Sequence, residues 1–590
     1  MRIIKTAVDF QNQETLLDRR FLGTWCLDYD QNTHSSIKKE EITPYHWDNR
    51  IKFKNDFPFL KDIYERKLID CAHSLNRIHN LDRDIKYWRV IVGPWLRFFI
   101  DALFDRYECI RNANNCYKNS NYLLHDYDAD ISTRDFSEFY DCLTSDVWNE
   151  IIFSECIKSL KIPYEFSGIS IKSQPKKINN KKISISLIIL KFIKAYQYLI
   201  SRFARKITII SPNIDLFNLV KLDFSLGNLP FIKSFEVKIN KRDINFKKRN
   251  LLQFSETYSG FEIFLNEQIL KNMPKIYIES YKEFKIKALK SFPQKTNVIY
   301  TANAYQSDDA FKFWAAEKCN SRSKLIIGQH GGTFGLSFFN QTEEHQLNIA
   351  DTFISWGWKS EFFKNIISLP SIKLKRNNSI HPSQRNDGNF IHILGCVPRY
   401  FYNYFSMPVA GQFLNYIDDQ IIFLNELDKN NLKKIKIRED ASSLKWGWDV
   451  NSILKKNGFS DNIISTEESA ITQLNNSALC ICTHNGTVPI ETLALNFPTI
   501  IFWDAKIYDI RPEARKYISI LEDAGIFYDC PKLAAKKINL ISDDISSWWL
   551  QSDVQKARSI FISKYGLSSF DPEKSLKEYL LKELDNEKTC

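Results

Sequence analysis

The sequence predicts an α/β protein made of two doubly wound halves joined by a polar linker, with a helical, aromatic-rich elaboration in front. Three features carry this expectation. Short apolar runs ending in Gly, Asn or His loops alternate with amphipathic helical stretches from residue 207 onward, the β-α-β rhythm of parallel sheets. The rhythm stops over 371–389 (SIKLKRNNSIHPSQRNDGN), where turn formers dominate, and restarts at 390. Residues 1–160 lack it and read as helices dense in Trp, Tyr and Phe.

In chain order, residues 1–370 form an N-terminal part with three sections. Within 1–160, DFPFLKDIYERKLIDCAHSLNRIHN and KYWRVIVGPWLRFFIDALFDRYECI carry apolar residues at helical spacing. The basic segment 172–206 holds ten Lys or Arg and no acidic residue. It opens as a polar loop and continues as ISISLIILKFIKAYQYLISRFARK. That pattern suits a helix lying on an anionic membrane surface, and equally a core-facing helix with a solvated basic edge. Section 207–370 contains the strands KITIISPN, NVIYTAN and SKLIIGQHGG, with the helix DDAFKFWAAEKCN before the last. After the linker 371–389, residues 390–540 repeat the pattern through the strands FIHILGCVP, KIKIRED, ALCICTHNG and PTIIFWD. The helices DDQIIFLNELDKNNLKK, EESAITQLNNS and VPIETLALN separate them, and 541–590 is expected to be helical. Doubly wound sheets bind ligands beyond the carboxyl ends of their strands, where helix N-termini favour phosphate. Two such halves facing each other would hold a ligand in the cleft between them.

Composition narrows the class. With 44% hydrophobic and 26% charged residues, a disordered, collagen-like or coiled-coil chain is excluded. The formal charge is 81 − 70 = +11, an excess that the ten cations of 172–206 nearly equal. No nucleic-acid motif accompanies that patch, so nucleic acid is not an expected partner. The opening residues show no apolar signal core, and no run approaches the ~20 apolar residues of a membrane span. The twelve cysteines form no CxxC pair and no grouping with histidine, and Cys480 and Cys482 fit the core of a strand. A cytoplasmic protein, peripheral on the inner face of the membrane through 172–206, is the expected location.

Glycine is scarce, 18 in 590, yet four fall between Gly328 and Gly335. A strand there runs into Gly328-Gln329-His330-Gly331-Gly332, where the backbone can approach a ligand closely. The spacing is neither a dinucleotide fingerprint nor a Walker loop. His330 is a candidate acid/base, with Glu343, Glu344, His345 and Asp351 following. In the second constellation a buried strand delivers Thr483-His484-Asn485-Gly486-Thr487 to a helix start, with Glu491 one turn in. Such hydroxyl and amide side chains cap helices and equally hold phosphate. Asp308-Asp309 precedes a helix, where capping explains it better than metal binding.

ExxALNxPTI after a polar loop resembles the donor-nucleotide half of GT-B glycosyltransferases. More specifically, the chain resembles the transferase family of bacterial O-antigen clusters first described from Leptospira. The matching strings run nearly end to end: YHWDNR at 45–50, YWRVIVGPWL at 87–96, GQHGG with EEHQLNIAD and SWGW, KIRED with WGW at 446–448, THNGTVPIETLALNFPTIIFW, and the WW at 548–549 with SDVQKARSIFISKYGLSS. The family's pattern near 436–440 is closer to RLYPxDYGW, so only Arg438, Asp440 and the Trp residues carry over there. Nothing carries over between about 130 and 290.

The resemblance implies a GT-B-like fold, two Rossmann-like domains facing a central cleft. It also implies a sugar transferase of surface-polysaccharide assembly, acting on O-antigen, lipopolysaccharide or capsule. Its donor would be a nucleotide sugar, an NDP-hexose or a CMP-linked ulosonic acid, and its acceptor a glycan or lipid-linked glycan. For such a reaction His330, Glu344 and Asp351 are candidates for the acid/base work. Gly331, Gly332, Arg438, Thr483, His484, Asn485, Gly486 and Thr487 would hold the donor, with Glu491 on its ribose. Arg50, Arg89 and Trp95 would contact the acceptor, although Trp at helical spacing also fits a core. No cofactor and no metal is expected, the leaving phosphate being neutralised by protein groups. Two alternatives stay open: transfer of a polyol phosphate from a CDP-activated donor, and a non-catalytic, membrane-docked assembly factor.

Overall fold

Runs such as Ile207–Ile210 and Val298–Thr301 are buried at every position, which requires a sheet covered on both faces. The computed structural model builds such a sheet around them. It describes every residue except 12–17, 28–38, 128–129, 172–195, 197–204, 232–236, 238, 241, 375–387 and 589–590. Most of the basic segment and most of the linker therefore lie outside the described residues.

Two small parallel pairs open the chain: β1 (Arg2–Ile4) with β2 (Arg19–Phe21), and β3 (Tyr122–Tyr127) with β4 (Tyr164–Ile171). The sequence gives no sign of them, because three-residue strands and the mixed pattern YLLHDY leave no apolar run. Among them lie two long helices, α1 (Arg50–His79) and α2 (Ile85–Cys116). Asn49 starts α1 by accepting from the amides of Ile51 and Lys52, and Asp84 starts α2 through Tyr87 N at 2.7 Å. Helix α2 is buried on nearly all sides from Tyr87 to Ile110, which makes it a core element.

The N-terminal half carries β5 (Ile207–Ile210), β6 (Val298–Thr301), β7 (Lys324–Gly328), β8 (Thr352–Ser355) and β9 (Ile366–Ser368), all parallel and in sequential order. The helix expected before β7 spans Asp309–Asn320, and Asp308 caps it through Phe311 N at 3.0 Å. The second half carries β10 (Asn389–Ile393), β11 (Ile435–Arg438), β12 (Ser477–Cys482), β13 (Thr499–Phe502) and β14 (Phe527–Tyr528), again all parallel. Their order is β11-β10-β12-β13-β14, so the winding reverses between β10 and β12. A crevice outside the carboxyl ends of those two strands is where such sheets take ligands. Four further helices matter below: α3 (Gln341–Ile349), α4 (Thr487–Ala494), α5 (Ser552–Tyr565) and α6 (Pro572–Lys588).

The aromatic region is not an appendage. One hydrophobic cluster runs through it and through both halves, from Ile3 to Tyr565. Trp47 packs edge-on against Phe401 and Tyr404, with centroids 4.5 and 5.1 Å apart, and Arg399 grips both carboxylate oxygens of Asp146 at 2.8 and 2.7 Å. The last helix does not stay with the second half either. On α6, Leu576, Leu580 and Leu584 form one stripe at i, i+4 and i+8 that covers Ile207, Val298, Ile326 and Ile354 of the first sheet. Among the described residues no helix is long and apolar enough to cross a membrane.

Candidate active site at the carboxyl edges of the two sheets

The loop leaving β7 touches the loop leaving β12. Gly332 N donates to Thr487 Oγ1 at 3.2 Å, and a Cβ on Gly332 would stand 2.3 Å from Gly486 O. Gly332 is therefore needed for close approach, while Gly335 is needed for its φ of +70°. Gln329 braces this loop: its Nε2 donates to Gly331 O at 2.7 Å, and its Oε1 accepts from Trp356 N at 3.0 Å and Trp358 Nε1 at 2.7 Å. The strings GQHGG and SWGW are thus one structural unit. Behind them the buried Glu343 accepts from Gly335 N and from Arg511 of the other half, both at 2.7 Å. Burial pushes the Glu343 carboxyl up, against the pull of Arg511.

On the facing side, Thr483 Oγ1 donates to Ile393 O at 3.1 Å, and its hydroxyl also meets that of Tyr416. The side-chain amide of Asn485 donates to Ser337 Oγ and Ser406 O, both at 3.0 Å. Both side chains are wholly or almost wholly buried, so they hold the loop rather than face the cleft. His484 accepts from Gly486 N at Nδ1, 3.0 Å away, which leaves the proton on Nε2. Burial pulls its imidazole down to about 4. A Cβ on Gly395, just beyond β10, would meet the His484 ring at 3.1 Å, so this pair marks the crevice where the winding reverses.

Three groups converge where the loops meet. Lys373 Nζ stands 2.9 Å from Glu491 Oε1 on α4. His330 feels the Lys373 charge, but burial is the larger influence, and together they lower its imidazole to about 4. Its Nδ1 is buried with no hydrogen-bond partner among the described residues. Helix α4 follows Gly486, which offers no side-chain cap; the Gly486 amide is taken by His484 and Pro489 has none, so the amides of Thr487 and Val488 and the helix dipole remain for an anion. A neutral imidazole, a lysine and an uncapped helix start can accept a proton and hold a phosphate within one crevice.

The structure thus brings together His330, Gly331, Gly332, His484, Gly486, Thr487 and Glu491, and separates the rest. Glu344 pairs with Lys61 of α1 at 3.0 Å. Asp351 stands at the opposite, amino edge of the first sheet, accepting from Leu325 N at 2.8 Å and from Lys86 at 2.6 Å. Arg438 ends β11, but its guanidinium is held by Glu468 O at 2.9 Å and Gln473 Oε1 at 2.6 Å. Among the residues read as acceptor contacts, Arg50 pairs with Asp509 of the other half and Arg89 pairs with both oxygens of Glu65. Trp95 is fully buried and stacked on Phe99 at 5.0 Å, so no glycan can reach it. Lys373 and Arg511 escaped the sequence reading, because each lies in a loop among other cations and neither belongs to a recognisable motif.

Two groupings have metal-ligand geometry among the described residues: Asp9–His125–Glu150 and His46–Asp105–Cys109. Both belong to the N-terminal region and both are filled by protein groups. Lys5 Nζ stands 2.9 Å from Asp9 Oδ2 and 2.9 Å from Glu150 Oε1. Asp105 takes Arg106 at 2.8 Å and His46 at 3.1 Å. Neither fits a cation.

Comparison with known proteins identifies the chain's family. A search of curated proteins finds no match. The model of the LIC12162 family transferases matches residues 1–580, and those residues include both site loops, Lys373 and Arg511. The chain belongs to the LIC12162 family of transferases.

Proposed function

We propose that the chain is a GT-B-type glycosyltransferase that moves a sugar from a nucleotide-activated donor to a surface-polysaccharide acceptor, without a metal. The observation that carries this reading is the meeting of the β7 and β12 loops at Gly332 and Gly486, with His330, Lys373 and Glu491 around it. The donor's diphosphate, or the phosphate of a CMP-sugar, would lie at the start of α4 beside Lys373, and Glu491 would reach the ribose hydroxyls. His330, neutral at physiological pH and with Nδ1 uncommitted, would take the proton of the attacking acceptor hydroxyl. Lys373 and the α4 amides would supply the positive character that a bound metal supplies elsewhere.

The test is a thermal-shift panel of CMP, CDP, UDP, GDP and dTDP on wild type and Lys373→Met. One nucleotide is expected to raise the melting temperature of wild type and to do so far less in the variant. If none stabilises wild type at millimolar concentration, the donor site is wrong. Product analysis with the matching activated sugar then reads a glycosidic bond, whereas a phosphodiester bond would mark polyol-phosphate transfer.

A further inference from the structure

A cavity at the carboxyl edge of the first sheet adjoins the loop that carries His330. It opens at the carboxyl ends of β5 and β6 and holds about 350 Å³, near the low end of the ~300–1,000 Å³ of small-molecule sites. Its polar lining is Ser211 and Asn213, just past β5, and Asn303, just past β6. Its floor is apolar, with Ile210, Ile214 and Phe231 among the residues that form it. No charged side chain lines it among the described residues.

Ser211 and Asn213 both have positive φ, +47° and +63°, although neither is glycine. Non-glycine residues held in that region cost free energy and cluster where a site needs a particular backbone path. The loop is joined to the cleft: Ala302 N donates to Ser211 O at 3.1 Å, and Asn213 Nδ2 lies 3.5 Å from His330 O. Asn303 precedes a short helix without capping it, so its amide is uncommitted. Two amides and a hydroxyl over an apolar floor match the hydroxyls and the apolar face of a neutral sugar ring. With no Lys or Arg among the described lining residues they do not match phosphate, and with no Asp or Glu among them they do not match a cation.

We propose that this cavity is the subsite for the acceptor's terminal sugar, a neutral ring held by Asn213 and Asn303 beside His330. The inference rests on reading the cleft as a glycosyl-transfer site. It moves acceptor contact away from Arg50, Arg89 and Trp95, which the structure commits elsewhere.

The test uses full-length protein and two variants, Asn303→Ala and Asn213→Gly, the latter because glycine tolerates the positive φ. Saturation-transfer NMR with free glucose and N-acetylglucosamine reads the subsite, with N-acetylneuraminate as the anionic counterpart. The neutral sugars are expected to bind wild type and to bind each variant roughly tenfold more weakly, with the anionic sugar silent. A wild type that takes up no neutral sugar, or two variants that bind it equally well, overturns the subsite. A stronger signal from the anionic sugar overturns its neutral chemistry. The nucleotide panel is run on the same proteins. If no nucleotide stabilises any of them, the donor site fails, while the sugar signal still judges the subsite by itself.

Discussion

Replacing Gly332 by alanine places a methyl carbon 2.3 Å from Gly486 O, 2.8 Å from Gly486 C and 2.9 Å from Thr487 Cα. All three are backbone atoms, so no side-chain rotation relieves the clash. Carbon–oxygen contacts settle near ~3.3 Å, so the two loops must part by about 1 Å. Overpacking of that kind costs ~1–3 kcal/mol, and the Gly332–Thr487 hydrogen bond adds about 1 kcal/mol to the loss. At ~2–4 °C per kcal/mol for a unit the size of one half, the melting temperature should fall by several degrees. A displacement of ~1 Å at a reacting centre costs on the order of 100-fold in rate, so transfer should suffer more than folding. Gly331→Ala is the control. The nearest atoms to its Cβ would be those of Phe334 at 3.4 Å and Thr487 Oγ1 at 3.8 Å, which are ordinary contacts. Since Gly332 is not among the glycines at positive φ, backbone strain cannot imitate the effect. Scanning fluorimetry with and without the stabilising nucleotide reads stability and nucleotide response, and a product assay reads the rate. Equal melting and equal nucleotide response for Gly331→Ala and Gly332→Ala would refute the apposition of the loops.

Glu343→Gln should lower stability by about 2 kcal/mol in denaturant titration, because it leaves the partly exposed Arg511 facing a neutral partner; Glu343→Met with Arg511→Met should recover much of the loss. Burial lowers His392 to about 4 against an ordinary value of 6.5, so its unfolded form takes up a proton over a range where the folded form does not. Its share of stability, about 3 kcal/mol, is complete above pH 6.5 and is lost as pH falls to 4, and His392→Gln should flatten that slope by close to one proton. His330→Gln should reduce kcat by ~10²–10⁴, the usual worth of a positioned base, with nucleotide binding retained. Asp351→Asn should leave kcat alone and lower only the melting temperature, since its carboxylate ties Leu325 N and Lys86 at the far edge of the sheet.

Seven of the ten strands of the two five-stranded sheets were legible in the sequence because buried parallel strands are unbroken apolar runs that end in small or polar residues. KITII, NVIYT, SKLIIG, FIHI, KIKIR, ALCIC and PTIIF all stand within a residue or two of where they were expected. The two glycine-bearing loops were legible for the same reason: a strand's end states where its loop begins, and each loop lies at a carboxyl edge. The pairs β1-β2 and β3-β4 were not legible, since strands so short or so mixed owe their form to neighbours rather than to a run of their own.

Which charge would act and which would brace was beyond the sequence. Glu343 and Glu344 are adjacent and alike, yet one locks Gly335 to Arg511 across the halves and the other meets Lys61. Arg50 finds Asp509, 459 residues further on, instead of an acceptor, and Lys373 leaves the linker to pair with Glu491 while its charge reaches His330. Strand, helix and loop follow from neighbours a few residues apart, so the chain's own order contains them. The partner of a charge depends on where a distant stretch of backbone returns, and that path is decided only when the two sheets and the aromatic region close on one core and α6 packs on the first sheet in a second.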